Sequence, residues 1–325
     1  MIKLLVPTLP TTDSLIPYLR RIEEAKWATN FGHNVQELES RLRDRYPGNR
    51  VVTVSSCTTG LEIVYKMLRE AGLKAIALPA LTFPATILAA ANSGLNVHYG
   101  DVDKETWAHP NVALYGTPAD GPMVDAAAAF GEQLMFGDVP KIAVFSMHAT
   151  KMVGAGEGGY IVCKTEEMEN ELRMRSNFGM LAPGTASIKN GTNGKMSEYT
   201  AAVALASLDA YDRESWVRLY DLYEEFLPSW AFRPKRPRGA YPIMSVGLPV
   251  DAVPVQERMK ANGVETRQWY CPAMDRHPLS TSFNYPELPV TRWIERHSLG
   301  LPYYPSLTRS EVEYVCQALS QSVES

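Results

Sequence analysis

One lysine, Lys151, stands where it could attack a carbonyl. It closes the stretch Phe145-Ser146-Met147-His148-Ala149-Thr150-Lys151, which continues the apolar run 142–145 and leads into Gly154-Ala155-Gly156-Glu157-Gly158-Gly159. A lysine just beyond a buried strand, beside backbone that only glycine permits, loses solvation, and a desolvated amine can form a Schiff base. The same letters fit a surface lysine on a loop, so the reading depends on its company. Three features supply it. Val54-Ser55-Ser56-Cys57-Thr58-Thr59-Gly60-Leu61 reads as a strand, a small-residue turn and a helix start. Free N–H groups and the helix dipole bind phosphate there, with Ser and Thr hydroxyls as further donors; an ordinary N-cap has the same composition. Asp125 ends an apolar strand before a run of small residues, DAAAAFG. A carboxylate there is costly unless it meets a cation, and a pyridinium N–H is such a cation; a helix cap or ion pair is the plainer reading. Finally, Phe83 in Leu81-Thr82-Phe83-Pro84-Ala85-Thr86 could stack on a planar ligand or pack in the core.

The elements that must position these groups alternate between short apolar strands and helical segments, the pattern of an α/β fold with a mainly parallel sheet. Strands are expected at 51–54, 75–78, 97–102, 112–115, 123–125, 142–145 and 160–163, the last two as neighbours. Helices are expected at 61–68 and 83–91, after Thr165, over one long stretch from Ser197 to Phe226, and at 310–319. Only six residues, GTPADG, lie between Tyr115 and Pro122. A parallel crossover needs a dozen or more, so a layer helix should be missing and a loop should replace it. Beyond Pro228 the proline density rises and a smaller unit begins, which suggests a large domain at 1–212 and a small one at 213–325.

Composition narrows the function. The 325 residues, 45% hydrophobic, can bury a sizeable core. A formal net charge of −4 argues against a nucleic-acid binder. No apolar run approaches the ~20 residues of a membrane span, and the N-terminus lacks the form of a signal peptide. Cys57, Cys163, Cys271 and Cys316 are scattered without metal-ligand or redox spacing, which suggests no metal and a reduced, cytoplasmic setting. The basic run 233–238 (RPKRPR) could meet phosphate, although such loops are usually just solvated.

Taken in order, the motifs resemble the DegT/DnrJ/EryC1/StrS family of pyridoxal-phosphate (PLP)-dependent nucleotide-sugar aminotransferases. The resemblance runs through Asn30-Phe31-Gly32 with Val35 and 37–39, SSCTTGL, LPALTFPAT, GDVD, LYGTPAD, VDAAAAFG, FSMHATKMVGAGEGG, GTNGKMSEYTAAVALASLD and RHSLGLPYYPSLTRSEV. It implies a PLP fold-type I architecture: a seven-stranded-type, mainly parallel sheet in the large domain and a small C-terminal α+β domain, from which this chain differs in a large domain trimmed between Asp103 and Asp125. It also implies roles. Lys151 would carry the internal aldimine and shuttle the proton. Asp125 would hold the pyridine nitrogen and Phe83 would stack on the ring. Cys57, Thr58 and Ser146 would hold the phosphate, and Asn193 would reach the phosphate of a neighbouring subunit in a homodimer with shared sites. The activity implied is transfer of an amino group, with glutamate the expected donor, to a keto group of a nucleotide-linked keto-deoxysugar. His148, Arg267, Tyr270 and His277 are the candidate substrate contacts.

The chain departs from the family pattern in three places. Ala128 stands where relatives carry Gln or His against the cofactor's phenolic oxygen, and His148 is a candidate replacement. Cys57 stands for a glycine of the phosphate turn, and Lys195 for an arginine. A PLP sugar enzyme of other chemistry, dehydratase-like, and a non-catalytic regulatory relative are the alternative readings; the retained Lys151 favours transamination.

Overall fold

The structure, a computed structural model, describes residues 1–131, 142–182, 184–280 and 287–324. Runs of uninterrupted apolar residues form its central sheet. β1 (Arg50–Val54), β5 (Ile142–Ser146) and β6 (Gly159–Cys163) are buried at almost every position, which requires cover on both faces. With β4 (Met123–Asp125) they form a four-stranded sheet in the order β1-β6-β5-β4. β4 runs parallel to β5, whereas β6 is antiparallel to both its neighbours. The reason is the connection: residues 147–158 join β5 to β6 without a helix, and a strand that returns directly must reverse its direction.

β2 (Ala75–Pro79) and β3 (Asn96–Gly100) form a separate parallel pair. Among the described residues the expected seven-stranded, mainly parallel sheet is therefore replaced by this pair and the four-stranded sheet. The break lies at the segment expected to be a strand over 112–115. Val112 makes one parallel bridge to Asp125, with Asp125 N donating to Asn111 O and Ala113 N to Asp125 O, both at 2.9 Å. Towards β2, the Asn111 side chain donates to Ala77 O at 2.8 Å. Pro110 has no N–H to give a ladder. Leu114–Gly116 then curls into a 3-10 turn with Tyr115 at φ 54°, so the run is too short for a strand. Residues 117–122 continue as a loop directly into β4.

Helices cover the sheet and set the site. α1 (Thr12–Ala25) and α2 (His33–Arg45) precede β1. α3 (Cys57–Glu70) starts where the Ser56 hydroxyl accepts from Thr59 N at 3.1 Å, and it buries Leu61, Ile63, Val64, Tyr65 and Met67. A Cβ on Gly60 would come within 2.8 Å of Val144 Cγ1, so glycine lets this helix lie close against β5. α4 (Pro84–Asn92) takes proline at its first position, where the missing N–H costs nothing. α5 (Glu166–Ser176) is capped by Thr165 and leads to the short pair β7 (Met180–Ala182) and β8 (Thr185–Ala186).

The single helix expected from Ser197 to Phe226 is two helices. α6 (Glu198–Asp209) starts on the Ser197 cap, and α7 (Arg213–Phe226) starts on Asp212, whose carboxylate accepts from Glu214 N at 3.0 Å. That capping aspartate competes with helix continuation and breaks the run.

The C-terminal part pairs β9 (Met244–Gly247) with β10 (Ser298–Leu301), flanked by α8 (Ala252–Ala261), α9 (Pro289–His297) and α10 (Arg309–Glu324). The N-terminal residues cross to it: Ile2 N donates to Gly263 O at 2.8 Å and Tyr303 N to Leu4 O at 3.0 Å. One apolar cluster joins α2, α6 and α7 with residues of β9, β10 and α10. No described helix is long and apolar enough to cross a membrane.

Candidate active site

A cavity of about 680 Å³ opens where α3 and α4 begin, where β4 and β5 end, and where the loop 267–272 approaches. It gathers ten of the eleven candidate residues: Cys57, Thr58, Phe83, Asp125, Ser146, His148, Lys151, Arg267, Tyr270 and His277.

Strand geometry explains why the first group converges. Gly159 is the register partner of both Val54 and Ser146, so the exits of β1 and β5 lie on either side of it. A Cβ there would sit 2.6 Å from Phe145 O and 2.7 Å from Cys57 N, so only glycine allows the α3 start and the Ser146 strand end to come so close. The first turn of α3 thus faces the cavity with Ser56, Cys57 and Thr58, opposite Ser146.

Asp125 is 4% exposed. Its Oδ2 accepts from Thr86 Oγ1 at 2.6 Å and its Oδ1 from Ala127 N at 3.0 Å. Burial holds its carboxyl above the usual carboxylate range, while the Thr86 and Ala127 hydrogen bonds and the Lys151 charge pull it back. Lys151 shows the mirror effect: burial lowers its ammonium, opposed by Cys57 and Asp125. The two groups are therefore close enough to act on each other's charge. Burial, with Asp125 adding to it, pushes the Cys57 thiol well up, and its Sγ donates to Val144 O at 3.7 Å, which makes it an inert filler rather than a nucleophile.

The other walls are more open. Phe83 occupies the N-cap position of α4 and is 62% exposed at the rim, an unusual setting for a phenyl ring. His148 Nδ1 accepts from Thr150 N at 3.2 Å, which leaves the proton of the neutral ring on Nε2, 3.8 Å from Glu157. Tyr270 has φ 61° and lies with its ring 5.3 Å from that of Tyr115. The Arg267 guanidinium covers the Trp269 ring at 4.9 Å, and that indole lies against Gly300, where a Cβ would clash with it. His277 Nε2 sits 3.0 Å from Pro272 O.

Asn193 does not line this cavity; its Oδ1 accepts from Lys195 Nζ at 2.8 Å on the outer surface. The basic run 233–238 does not line it either, and its charges are matched locally. Arg233 pairs with Glu224 (3.5 Å), Lys235 with Glu105 (2.7 Å) and Arg238 with Asp221 (2.5 Å), while Arg236 lies over the Tyr241 ring at 3.9 Å.

Sequence reasoning missed Thr86, Trp269, Glu157 and Leu5, all of which face the cavity. For Thr86 a signal existed, since Thr82 and Thr86 sit four apart across a helix start. For Leu5 and Trp269 there was none, because long-range folding brings them in.

These residues suit PLP on three counts. A buried carboxylate lifted by desolvation calls for a cation such as a ring N–H. A helix start with flanking hydroxyls suits a phosphate. A lysine with a lowered ammonium suits an aldehyde. Comparison with known proteins sets the chain among the PLP-dependent aminotransferases. The sequence profile of the DegT/DnrJ/EryC1/StrS aminotransferase family matches residues 11–114 and 123–320, interrupted only across the 3-10 turn and loop before β4. The chain belongs to that family.

Among its relatives, dTDP-4-amino-4,6-dideoxy-D-glucose transaminase of Shigella dysenteriae is 32% identical over 63% of this chain; the match spans 64% of that enzyme, just under two thirds of its length. A Bacillus cereus ATCC 10987 protein assigned as a PLP-dependent aminotransferase superposes with a TM-score of 0.91 at 26% identity, over 98% of this chain and all of that one. DesI, solved with its TDP-sugar product, superposes with a TM-score of 0.85 at 27% identity, over 98% of this chain and 93% of its own.

Proposed function

We propose that this enzyme moves an amino group from an amino acid, glutamate in the first instance, to a keto group of a nucleotide-linked keto-deoxysugar. The observation that carries the reading is the pairing, in one cavity, of a Lys151 amine depressed by burial with an Asp125 carboxyl raised by burial. Bound there, PLP supplies an aldehyde that takes up amines and a ring that spreads the charge of an adjacent carbanion. The chain's own groups do the rest. Lys151 would hold the cofactor through its amine and, when that amine is free, would be the base that takes the donor's Cα proton and later returns one to the sugar carbon. The lowered ammonium matters here, because burial makes the neutral, proton-accepting amine easier to reach. Asp125 accepts the ring N–H and keeps the ring cationic.

Cys57, Thr58 and Ser146 cradle the phosphate at the α3 start. Phe83, exposed at the rim, covers the ring face. The unit at 1–212 carries these groups, and the unit at 213–325 closes over them with Arg267, Tyr270 and His277, which with His148 meet the sugar and its diphosphate. Relatives named for dTDP- and TDP-linked sugars support the nucleotide-linked substrate. Asn193 is exposed and does not line its own cavity, which fits a role in the phosphate site of a second copy and hence a homodimer; a cytoplasmic setting fits the four free cysteines.

The test is the visible spectrum of the purified protein with PLP, before and after glutamate. A yellow band that bleaches with glutamate supports the reading and the donor together. A band that persists unchanged with every amino acid tried would count against transamination.

A further inference from the structure

We propose that Thr82 and Thr86 form a two-hydroxyl relay that positions the Asp125 carboxylate for the cofactor's ring nitrogen, making Thr86 a positioning residue for the reaction. This inference rests on the reading that the cavity binds PLP.

Thr86 Oγ1 lies 2.6 Å from Asp125 Oδ2, and Thr82 Oγ1 lies 3.0 Å from Thr86 Oγ1. All three side chains line the cavity, yet Thr82 is only 2% and Thr86 1% exposed. The direction of the relay follows from the inventory of protons. An ionised carboxylate only accepts, so the Thr86 proton goes to Asp125. Thr86 then has no proton left for Thr82, so Thr82 must donate to Thr86. A protonated Asp125 would permit the reverse order, with the acid donating to Thr86. The observed contacts are thus satisfied in a single sense only when Asp125 is charged, and hydrogen bonds aligned this way strengthen one another. The second carboxylate oxygen is held by Ala127 N at 3.0 Å. With one bond on each oxygen the plane of the carboxylate is fixed, and lone pairs remain for the ring N–H.

Local chain geometry makes this placement. Phe83 caps α4 and Pro84 opens it, so Thr82 lies just before the helix and Thr86, whose N–H donates to Phe83 O at 3.1 Å, lies in its first turn. If the two hydroxyls served only to satisfy each other in the core, a pair of valines would fill the same space and leave the cofactor indifferent.

The experiment compares wild type with Thr86→Val, Thr86→Ser, Thr82→Val and the double valine variant. The PLP dissociation constant is measured by equilibrium dialysis, and the melting temperature on cofactor-free protein. Without the Thr86 donor, Asp125 takes up a proton more readily, and the cofactor must bear the cost of ionising it again. Thr86→Val should weaken PLP binding about 5- to 20-fold, which is about 1–2 kcal/mol at 1.4 kcal/mol per tenfold. The cofactor-free melting temperature should move by less than about 3 °C, and Thr86→Ser should restore binding to within about twofold. Thr82→Val should weaken binding about 2- to 4-fold in the wild-type background and not at all in Thr86→Val, because its only route to Asp125 is through that hydroxyl.

Binding unchanged in Thr86→Val, or equal effects of Thr82→Val in both backgrounds, would overturn the relay. Should Thr86→Val fail to fold, Thr82→Val decides the matter: a lower melting temperature with unchanged PLP affinity sinks the relay. A wild type that binds no PLP would instead overturn the underlying reading of the cavity.

Discussion

Asp125→Asn should separate stability from function. In the wild-type protein without cofactor, ionising Asp125 puts a charge at 4% exposure, a burden worth several kcal/mol after relaxation. Thr86 and Ala127 offset part of it, at about 1.5–3 kcal/mol for each hydrogen bond to a charged acceptor. Asparagine keeps both contacts: its Oδ1 accepts from Ala127 N, and its Nδ2 donates to Thr86, whose own proton then turns to Thr82. Each bond becomes neutral and loses about 1 kcal/mol, while the desolvation burden disappears. The cofactor-free variant should therefore be as stable as wild type or up to about 3 kcal/mol more stable, a rise of up to about 10 °C in melting temperature.

A carboxyl raised in the folded state weakens the fold at pH above its unfolded range, and that penalty vanishes below it. The advantage of Asp125→Asn should accordingly shrink as pH falls towards about 4 and be gone below it. Turnover should move the other way: an amide cannot neutralise a ring N–H, so kcat should fall about 10²- to 10³-fold, the scale for losing one preorganised electrostatic partner. Paired thermal melts and transaminase assays on the same preparations test both. A variant that melts more than about 3 °C below wild type, or one that keeps kcat within about tenfold, would refute the reasoning.

Three further outcomes follow from the geometry. Lys151→Ala and Asn193→Ala should each be nearly inactive alone. Refolded together they should recover about a quarter of wild-type activity, since half the dimers are mixed and each mixed dimer has one intact site; no recovery would count against shared sites. Gly159→Ala should lower the melting temperature by about 5–10 °C, roughly 2–4 kcal/mol, and weaken PLP binding, because its methyl would press on Phe145 O and Cys57 N; a melt within 2 °C of wild type, by scanning calorimetry, would contradict this. Cys57 should resist thiol reagents in the native protein and react after unfolding, as expected of a buried thiol held well up; rapid native labelling at Cys57, read by peptide mass, would show otherwise.

Much of the site was legible because its parts are local in sequence. The Ser56 cap and the α3 start, the strand end at Asp125 and the glycines after Lys151 each announce themselves within a few residues. Thr86 was harder, since its partner lies 39 residues away in sequence and the hydroxyl matters only once β4 is in place. Strand direction was not legible at all: β6 carries the same apolar run whether it lies parallel or antiparallel, and the deciding fact is that residues 147–158 contain no crossover helix. The split between α6 and α7 was hidden by Leu208 and Tyr211, which continue the apolar pattern, while Asp212 behind them ends it by capping. The basic run 233–238 reads as an anion site until Glu105, Asp221 and Glu224 are folded against it; those carboxylates are distant or unremarkable in the sequence.

Trp269 gives this protein a built-in optical gauge. Its indole stands in the cavity wall, fixed between the Arg267 guanidinium and the bare face of Gly300. A bound PLP absorbs where tryptophan emits, so occupancy of the cavity should quench this side chain's fluorescence by energy transfer. The loading of each molecule could then be followed from the protein's own light, without label or coupled enzyme, and a Trp269→Phe variant would give the background to subtract.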